Sequence, residues 1–235
     1  MTSSCRCCAV IAAAGSSIRM NLRTSKQFIP LLGVPVIART LAAFEAAREI
    51  DTVVVVCREE DRKQMEISVR GCGAKKVAAI VTGGNTRQRS AAAGAAAVPP
   101  GTEWVAVHDG ARPLVLPGEI DGCVAAAKRY GAAALAVPVK DTIKLTDGDR
   151  FVVSTPRREL LWAVQTPQVF RMDRYREAMR RAESAGRDYT DDCQLLEQEG
   201  VRVRLCRGNY ENIKLTTPDD IIIAEAILRR REELA

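Results

Sequence analysis

The sequence predicts an α/β fold in which helices cover both faces of a twisted, mostly parallel β-sheet. Short apolar runs alternate with segments of helical periodicity over residues 8–137, and this alternation is typical of parallel sheets. The run Thr52–Cys57 is apolar or β-branched throughout, as expected of a strand buried on both sides. A chain of 235 residues can bury one large core, so we predict a single domain over residues 1–235.

Six apolar runs are predicted strands, and the segments with apolar residues three and four apart are predicted helices. The strands cover residues 8–13, 52–57, 77–81, 103–107, 132–137 and 201–206. The helices cover residues 36–48, 59–70, 87–97, 117–130, 172–185, 191–198 and 218–234. The last helix has the clearest start, since Thr217 suits the N-cap and Pro218 suits the first helical position.

A polar, strand-like segment at residues 139–159 interrupts this alternation. It carries a turn signal at residues 147–149, so it reads as a hairpin. An isolated hairpin buries little of itself. We therefore expect either an exposed loop or an arm that packs on a partner chain.

Composition and charge favour anionic ligands and argue against a membrane-spanning segment. The formal net charge is +6 and the pI is near 9.0. Four Phe, four Tyr and two Trp are few for a protein that binds nucleic acid by stacking, so we expect no nucleic-acid partner. The longest uncharged run, residues 90–102, is 13 residues long, whereas a membrane span needs about 18 apolar residues.

The eight cysteines indicate reduced thiols in the cytoplasm rather than a disulfide framework. Their spacing lacks the paired pattern of zinc sites, and the chain has one histidine, His108. Several cysteines lie among Val, Ala and Leu, where a free thiol behaves as a small apolar side chain. The cluster of Cys5, Cys7 and Cys8 is assigned no role.

A loop of small residues follows the first predicted strand and leads to two cations. Residues 12–17 are all Ala, Gly or Ser, and Arg19 and Lys26 lie just beyond them. Small residues let backbone N–H groups approach a phosphate chain, and cations at the α-phosphate stabilise nucleotidyl transfer. The spacing matches neither the dinucleotide fingerprint nor the P-loop. The alternative interpretation is a helix C-cap followed by solvated basic residues.

A second glycine-rich turn covers residues 82–90, between a predicted strand and a predicted helix. Gly83 and Gly84 let the chain pass close to a planar base, and the helix N-terminus favours anions. Taken alone, this segment is better explained as a plain turn between a strand and a helix.

A third segment, residues 107–113, places Asp109 and Arg112 after a predicted central strand. An Asp in this position suits Mg²⁺, directly or through water, and Arg112 could hold a phosphate. The alternative is a strand-terminating Asp with a surface Arg. The neighbouring His108 is interpreted as a structural hydrogen-bond partner rather than a base.

The remaining segments supply Arg, Lys and Thr side chains suited to a second phosphate. They cover residues 138–144, 155–158, 162–170, 190–192 and 212–216. Taken in order with the three segments above, they closely resemble the 2-C-methyl-D-erythritol 4-phosphate cytidylyltransferase family of the non-mevalonate isoprenoid pathway. The resemblance extends over residues 9–226 and rests on the order and spacing of all the segments together.

The resemblance implies a Rossmann-like fold whose β-arm, residues 139–159, clasps a second subunit, and hence a homodimer. It implies a reaction in which CTP and a polyol phosphate form a CDP-alcohol and pyrophosphate with Mg²⁺ as cofactor. Asp109 matches the metal-side Asp. Arg19 and Lys26 match the transition-state stabilisers. Arg158 and Lys214 match the cations that position the acceptor phosphate, and Arg157 is the competing candidate for the role of Arg158.

The resemblance also implies the substrate-binding residues. Those of the cytidine pocket are Ala13, Ala14, Gly15, Gly83 and Ser90, and Asn85, Arg87 and Asp109 are further substrate-binding residues. Those of the acceptor side are Arg112, Thr142 and Thr166, some of them from the partner's arm. No general base is needed, because the attacking phosphate oxygen is already ionised at pH 7.

Three alternatives remain open at this point. Ribitol 5-phosphate cytidylyltransferase shares the fold, the loop and the lysine, and differs in its acceptor. A sugar-1-phosphate nucleotidyltransferase usually has a longer glycine-rich start. A basic α/β module that binds nucleic acid predicts a basic stripe, whereas these cations cluster after strand ends.

Overall fold

The computed structural model describes residues 6–15 and 25–234. In chain order its strands are β1 (Cys7–Ala12), β2 (Pro30–Leu31), β3 (Val34–Pro35), β4 (Thr52–Cys57), β5 (Val77–Thr82), β6 (Trp104–Asp109), β7 (Ala132–Pro138), β8 (Leu145–Thr146), β9 (Val152–Ser154), β10 (Trp162–Arg171) and β11 (Arg204–Arg207). Its α-helices are α1 (Val36–Ala46), α2 (Arg62–Gly71), α3 (Arg87–Ala96), α4 (Pro117–Tyr130), α5 (Met172–Ser184), α6 (Asp192–Glu197) and α7 (Pro218–Glu233).

Seven strands form the main sheet in the order β11-β7-β10-β6-β1-β4-β5. Each pairing is parallel except the two made by β10, which runs antiparallel to both β6 and β7. From β1 the chain first builds outward to β4 and β5, and it then returns to place β6 on the other side of β1. The strand order therefore reverses between β1 and β6, and such a switch point leaves a crevice at the carboxyl ends of the strands.

Helices cover both faces of this sheet, as the sequence predicts. Alternate residues of β1 belong to two separate apolar clusters, because successive side chains of a strand point to opposite faces. Helices α1, α2 and α4 pack on one face, and α3, α5 and α6 pack on the other. A third, smaller cluster joins α7 to the β2–β3 hairpin through Leu31, Leu215 and Leu228. The predicted α/β class is confirmed.

The longest strand, β10, is missing from the sequence prediction. It carries Gln165, Thr166 and Gln168, which break the apolar pattern of a buried strand and yet are 6% exposed or less. Tertiary hydrogen bonds compensate their burial: Gln165 donates to the Asn209 carbonyl at 2.9 Å, and Gln168 donates to Asp191 at 3.1 Å. A search for apolar runs cannot find a strand whose polar groups are satisfied by distant parts of the chain.

Residues 139–159 form the predicted hairpin, in which β8 and β9 pair antiparallel. Its apolar side chains are exposed; Phe151 is 73% and Val153 is 63% exposed. Among the described residues, no helix combines the length and apolar character that crossing a bilayer requires.

Candidate active site

A cleft of about 540 Å³ opens at the switch point, beyond the carboxyl ends of β1 and β6. Ala12 of β1 lies opposite Asp109 of β6 in the sheet register, so the ends of both strands meet at this cleft. The cleft is lined by Ala12, Ala14, Gly15, Lys26, Gln27, Arg58, Gly84, Asn85, Thr86, Arg87, Ser90, Asp109, Ala111 and Lys214. Its shape and position are those of a ligand site in an open parallel sheet.

Close packing of small residues forms one wall of the cleft. The Ala13 N–H donates to the Val56 carbonyl at 2.7 Å, which holds the start of the turn after β1 against β4. A Cβ at Gly83 would lie 2.7 Å from both the Ala14 Cβ and the Ser90 Oγ, closer than side-chain atoms approach each other. The turn after β5 can therefore approach the turn after β1 only because position 83 is glycine.

The N-terminus of α3 faces the same cleft. Thr86 is its N-cap, and its hydroxyl accepts from the Arg89 N–H at 3.1 Å. Ser90, one turn further, donates to the Thr86 carbonyl at 2.9 Å and is buried. Asn85 accepts from the Arg89 guanidinium at 3.1 Å. The helix dipole and its unpaired N–H groups make this wall favourable for an anion.

Asp109 lies on the floor of the cleft and is surrounded by three cations. Its Oδ2 is 3.0 Å from the Lys214 Nζ and 3.5 Å from the Arg112 Nε, and its Oδ1 is 4.0 Å from the Arg87 Nε. Burial alone would raise the pKa of the Asp109 carboxyl. The charges of Lys214, Arg87 and Arg112 outweigh burial and hold this pKa at about 2. Asp109 is therefore ionised at pH 7.

Arg87 is held from behind by a buried carboxylate. Its Nη2 is 2.6 Å from Asp192 Oδ2, and the other Asp192 oxygen accepts from the Tyr175 hydroxyl at 2.8 Å. Burial would lower the pKa of Arg87, but Asp192 and Asp109 raise it above its ordinary value. Arg87 is thus a fixed cation that links the α5–α6 region to the cleft.

Two lysines reach the cleft from opposite ends of the sequence. Lys26, in a short 3₁₀ helix (Lys26–Phe28), is 8% exposed and donates to the Leu215 carbonyl at 3.3 Å. The Leu215 N–H in turn donates to the Ala111 carbonyl at 2.9 Å. Lys214 lies next to this link, so Lys26, Lys214 and Asp109 share one edge of the cleft.

His108 and Thr166 lie behind Asp109, out of the cleft. The Asp109 N–H donates to Thr166 Oγ1 at 3.1 Å, and that hydroxyl is 2.9 Å from His108 Nδ1. Complete burial lowers the pKa of His108 to about 4, so its ring is neutral at pH 7. The interpretation of His108 as a structural hydrogen-bond partner is confirmed.

The structure brings most, but not all, of the predicted site residues together. Those at the cleft or in direct contact with its lining are Ala13, Ala14, Gly15, Lys26, Gly83, Asn85, Arg87, Ser90, Asp109, Arg112, Thr166 and Lys214. Thr142 and Arg158 are exposed on the arm and do not line the cleft of their own chain. Arg19 lies outside the described residues.

Six residues of the lining were not among the predicted site residues. Four of them, Ala12, Gly84, Thr86 and Ala111, lie within the predicted segments, and Arg58 and Gln27 are the other two. Arg58 follows β4 directly and forms ion pairs with Glu60 at 2.7 Å and Asp61 at 2.9 Å. Gln27 donates to the Ala13 carbonyl at 3.0 Å. The position of Arg58 immediately after a buried strand was the available signal, whereas nothing in the sequence distinguishes Gln27.

The fold and the cleft define a nucleotide-binding α/β protein whose site is built for phosphate groups. A nucleotide-sized cleft at a switch point, a helix N-terminus and cations around one ionised carboxylate are together what a nucleoside triphosphate requires.

Comparisons with known proteins identify the family. The IspD family model, 2-C-methyl-D-erythritol 4-phosphate cytidylyltransferase, matches residues 7–230. A protein of that name from Pelotomaculum thermopropionicum is 48% identical over 225 residues, covering 95% of this chain and 94% of the relative. Another, from Desulforamulus reducens, is 46% identical over 224 residues, covering 95% and 96%.

A solved structure agrees. The crystal structure of 4-diphosphocytidyl-2C-methyl-D-erythritol synthase from Anaerococcus prevotii matches with a TM-score of 0.87 at 32% identity, covering 96% of this chain and 97% of that one. The chain belongs to the 2-C-methyl-D-erythritol 4-phosphate cytidylyltransferase family. It is accordingly an enzyme of the nucleotidyltransferase class, and the resemblance noted from the sequence is confirmed.

Proposed function

We propose that this enzyme transfers the CMP group of CTP to 2-C-methyl-D-erythritol 4-phosphate, giving the CDP-alcohol and pyrophosphate. Family membership supports the reaction. The observation that carries it in this chain is the placement of Lys26, Arg87 and Lys214 around Asp109 in one cleft. Two anions must meet in this reaction, and fixed cations reduce their repulsion.

The cytidine end of CTP binds, in this proposal, between the turns that follow β1 and β5. Ala13, Ala14 and Gly15 form one side, and Gly83 and Ser90 form the other. These turns are in van der Waals contact at Gly83, which supports a narrow slot that accepts a pyrimidine and excludes a purine by size. Asn85 and the N-terminus of α3 then face the ribose and the phosphates.

The chemical step is a substitution at the α-phosphorus of CTP. A non-bridging oxygen of the acceptor phosphate forms a bond to this phosphorus. At the same time, the bond between this phosphorus and the oxygen that bridges it to the β-phosphate breaks. The electron pair of that bond leaves with pyrophosphate, and no proton needs to move. Lys26, and Arg19 by family resemblance, stabilise the negative charge of the transition state, and such a cation contributes roughly a thousandfold in rate.

The donor set fits Mg²⁺ in the way that nucleotide enzymes hold it. Asp109 is ionised, and among the described lining residues it is the one carboxylate. No three His, Cys, Asp or Glu side chains cluster as a metal site within residues 6–15 and 25–234. Mg²⁺ commonly takes one or two carboxylates, several waters and the substrate phosphates. When bound, it would neutralise charge on the triphosphate, and Asp109 would hold it.

The acceptor phosphate binds, in this proposal, near Lys214 and Arg112, beside the α-phosphate of CTP. Arg112 donates to the Asn212 carbonyl at 2.7 Å, and its Nε lies 3.5 Å from Asp109 Oδ2. A planar guanidinium held in this way is suited to a phosphate. Thr166 adjoins this position through Asp109.

We further propose a homodimer in which the arm of each chain completes the site of its partner. In its own chain Arg158 donates to the Lys140 carbonyl at 3.0 Å and is exposed. The arm also exposes Leu145, Phe151, Val152 and Val153, and neighbouring exposed apolar side chains favour a protein partner. A partner chain would cover these side chains and receive Thr142 and Arg158.

The cytoplasm is the proposed location, and the chain is proposed to act as a single domain. The seven described cysteines are free thiols, as a reducing compartment maintains them.

An acceptor panel tests the proposal. Purified protein with CTP and Mg²⁺ is given 2-C-methyl-D-erythritol 4-phosphate, ribitol 5-phosphate or a sugar 1-phosphate, and pyrophosphate release is measured. We expect rapid release with the first and far slower release with the others. A preference for ribitol 5-phosphate would overturn the proposed acceptor and leave the proposed class of reaction in place. Release with none of them would overturn the proposed reaction.

A further inference from the structure

The loop that carries Asp109 and Arg112 is fixed from behind by a closed ring of buried hydrogen bonds. The β6–β10 ladder ends where Val107 pairs with Gln168, so Asp109 lies beyond it. On the β10 side, where the ladder has ended, the Asp109 N–H donates to Thr166 Oγ1 at 3.1 Å. Thr166 Oγ1 is 2.9 Å from His108 Nδ1, and His108 Nε2 is 3.2 Å from the Arg112 carbonyl.

The partners of this ring assign every proton in it. A backbone carbonyl only accepts, so the bond to Arg112 requires the hydrogen of His108 on Nε2. In a neutral ring Nδ1 is then an acceptor, and it receives the Thr166 hydroxyl hydrogen. The Thr166 oxygen is left to accept from the Asp109 N–H. For a neutral ring, one arrangement of hydrogens satisfies all three bonds, and it places the hydrogen of His108 on Nε2.

The ring closes through Asn212, which connects it to the segment that carries Lys214. The Arg112 guanidinium donates to the Asn212 carbonyl at 2.7 Å, and Asn212 Nδ2 donates to the Thr166 carbonyl at 3.0 Å. His108 and Asn212 are completely buried, and Thr166 is 3% exposed. The His108 ring also packs on Phe44, with ring centroids 4.9 Å apart. Removal of one member would leave unsatisfied polar groups in a place that water cannot reach.

We propose that His108 is a positioning residue for Asp109 and Arg112. With its hydrogen on Nε2, it joins both ends of the 109–112 loop to Thr166 and so fixes the positions of the two side chains at the cleft. The inference rests on the proposed function, because that proposal has Asp109 hold Mg²⁺ and Arg112 bind the acceptor phosphate. His108 itself does not line the cleft.

The sole histidine of the chain makes the tautomer directly measurable. Protein without an affinity tag, labelled with ¹⁵N-histidine, gives one set of ring signals in a long-range ¹H–¹⁵N correlation spectrum. We expect the pattern of a neutral ring protonated on Nε2, with slow exchange of that proton. Signals of a ring protonated on Nδ1 would overturn the proposal, and so would the averaged signals of an exposed ring whose two tautomers exchange rapidly.

Kinetics of His108→Phe test the positioning role. The variant keeps a flat ring against Phe44 and loses both hydrogen bonds. We expect kcat/KM for the acceptor to fall by roughly 10- to 100-fold, as for other groups that orient a metal-side residue. The half-saturating Mg²⁺ concentration should rise, while metal-free binding of CMP, which uses the turns after β1 and β5, should stay within twofold. Wild-type kcat/KM and Mg²⁺ dependence in this variant would contradict the proposal.

Conservative and structural controls separate positioning from stability. Thr166→Val removes the hydroxyl and should lose activity, and Thr166→Ser, which keeps the hydroxyl, should recover most of that loss. Leu41→Ala, in the buried core, should lower the Tm and leave kcat and the Mg²⁺ dependence of the folded enzyme unchanged. If Leu41→Ala reproduced the Mg²⁺ effect of His108→Phe, the positioning role would be refuted. A wild-type enzyme inactive on every acceptor would instead refute the proposed function, and the tautomer measurement would still decide the inference.

Discussion

The Lys214 Nζ lies 3.0 Å from the Asp109 Oδ2, although 105 residues separate the two in sequence. Lys214 is the largest of the three charges that hold the Asp109 pKa at about 2 against burial. The same lysine is 36% exposed in its side chain, so it faces both the carboxylate and the open cleft. In the proposed site, this pair joins the Mg²⁺ side to the acceptor side.

Lys214→Ala should lower kcat/KM for the acceptor by about 100- to 1,000-fold. The substitution removes a cation from the place where two anions meet. It also leaves the negative charge of Asp109 with one neighbouring cation fewer. Lys63→Ala, an exposed lysine of α2 outside the cleft, removes the same charge and should stay within twofold of wild type. Steady-state kinetics of both variants check this, and equal effects would exclude a specific role for Lys214.

Gly83→Ala should raise the KM for CTP at least tenfold. The new Cβ would lie 2.7 Å from Ala14 Cβ and Ser90 Oγ, so the turns after β1 and β5 must separate, and misplacement of about 1 Å is costly in an active site. Gly122→Ala in α4 is the matched control, because a Cβ there meets nothing within 4 Å. We expect it to stabilise the fold by up to about 1 kcal/mol and to leave the KM unchanged. An unchanged KM for CTP in Gly83→Ala would show that the base binds elsewhere.

The metal-free protein should lose stability as the pH falls from about 6.5 to about 4. The His108 pKa is lowered by burial to about 4, so the unfolded chain takes up this proton before the folded chain does. Stability from the neutral ring is complete above the unfolded pKa and is lost as the pH falls through this window. A shift of this size corresponds to about 3 kcal/mol.

Urea unfolding at several pH values, in wild type and His108→Phe, measures this contribution. For each protein the free energy of unfolding is plotted against pH. The difference between the two slopes isolates the contribution of His108, because both proteins share the same carboxyl groups. The free energy of unfolding should decline less in the variant as the pH falls. Parallel curves for the two proteins would mean that the pKa of His108 is not lowered by folding.

Mixing two inactive variants should restore activity if the arm acts on the partner's site. Lys26→Ala removes a group of the chain's own cleft, and Arg158→Ala removes a group of the arm. In a mixed dimer one site carries both defects and the other carries neither. Random mixing makes half of the dimers mixed, so about a quarter of wild-type activity should return.

Pyrophosphate release after co-refolding of the two variants measures this recovery. If Arg158 acts within its own chain, every site keeps a defect and no activity returns. Phe151→Asp on the exposed arm should weaken the dimer, which sedimentation at several concentrations would detect.

The sequence predicted the fold well wherever burial follows a local pattern. The runs at β1, β4, β6 and β7 are apolar on both faces because helices cover both sides of the sheet, and their periodicity shows this directly. The turns after β1 and β5 were predicted from small residues and glycine. The same logic failed at β10, where Gln165, Thr166 and Gln168 are buried and satisfied by residues far away in sequence.

The sequence by itself determined the α/β class, the family and nearly all the charged groups of the cleft, because these depend on residue type and local order. Only the tertiary structure decided which of them meet. It brought Lys214 to Asp109, set Asp192 behind Arg87, and placed His108 in a buried ring rather than in the cleft. The physical reason is that a pKa, a tautomer and an ion pair depend on distances through space, which are fixed when the sheet assembles.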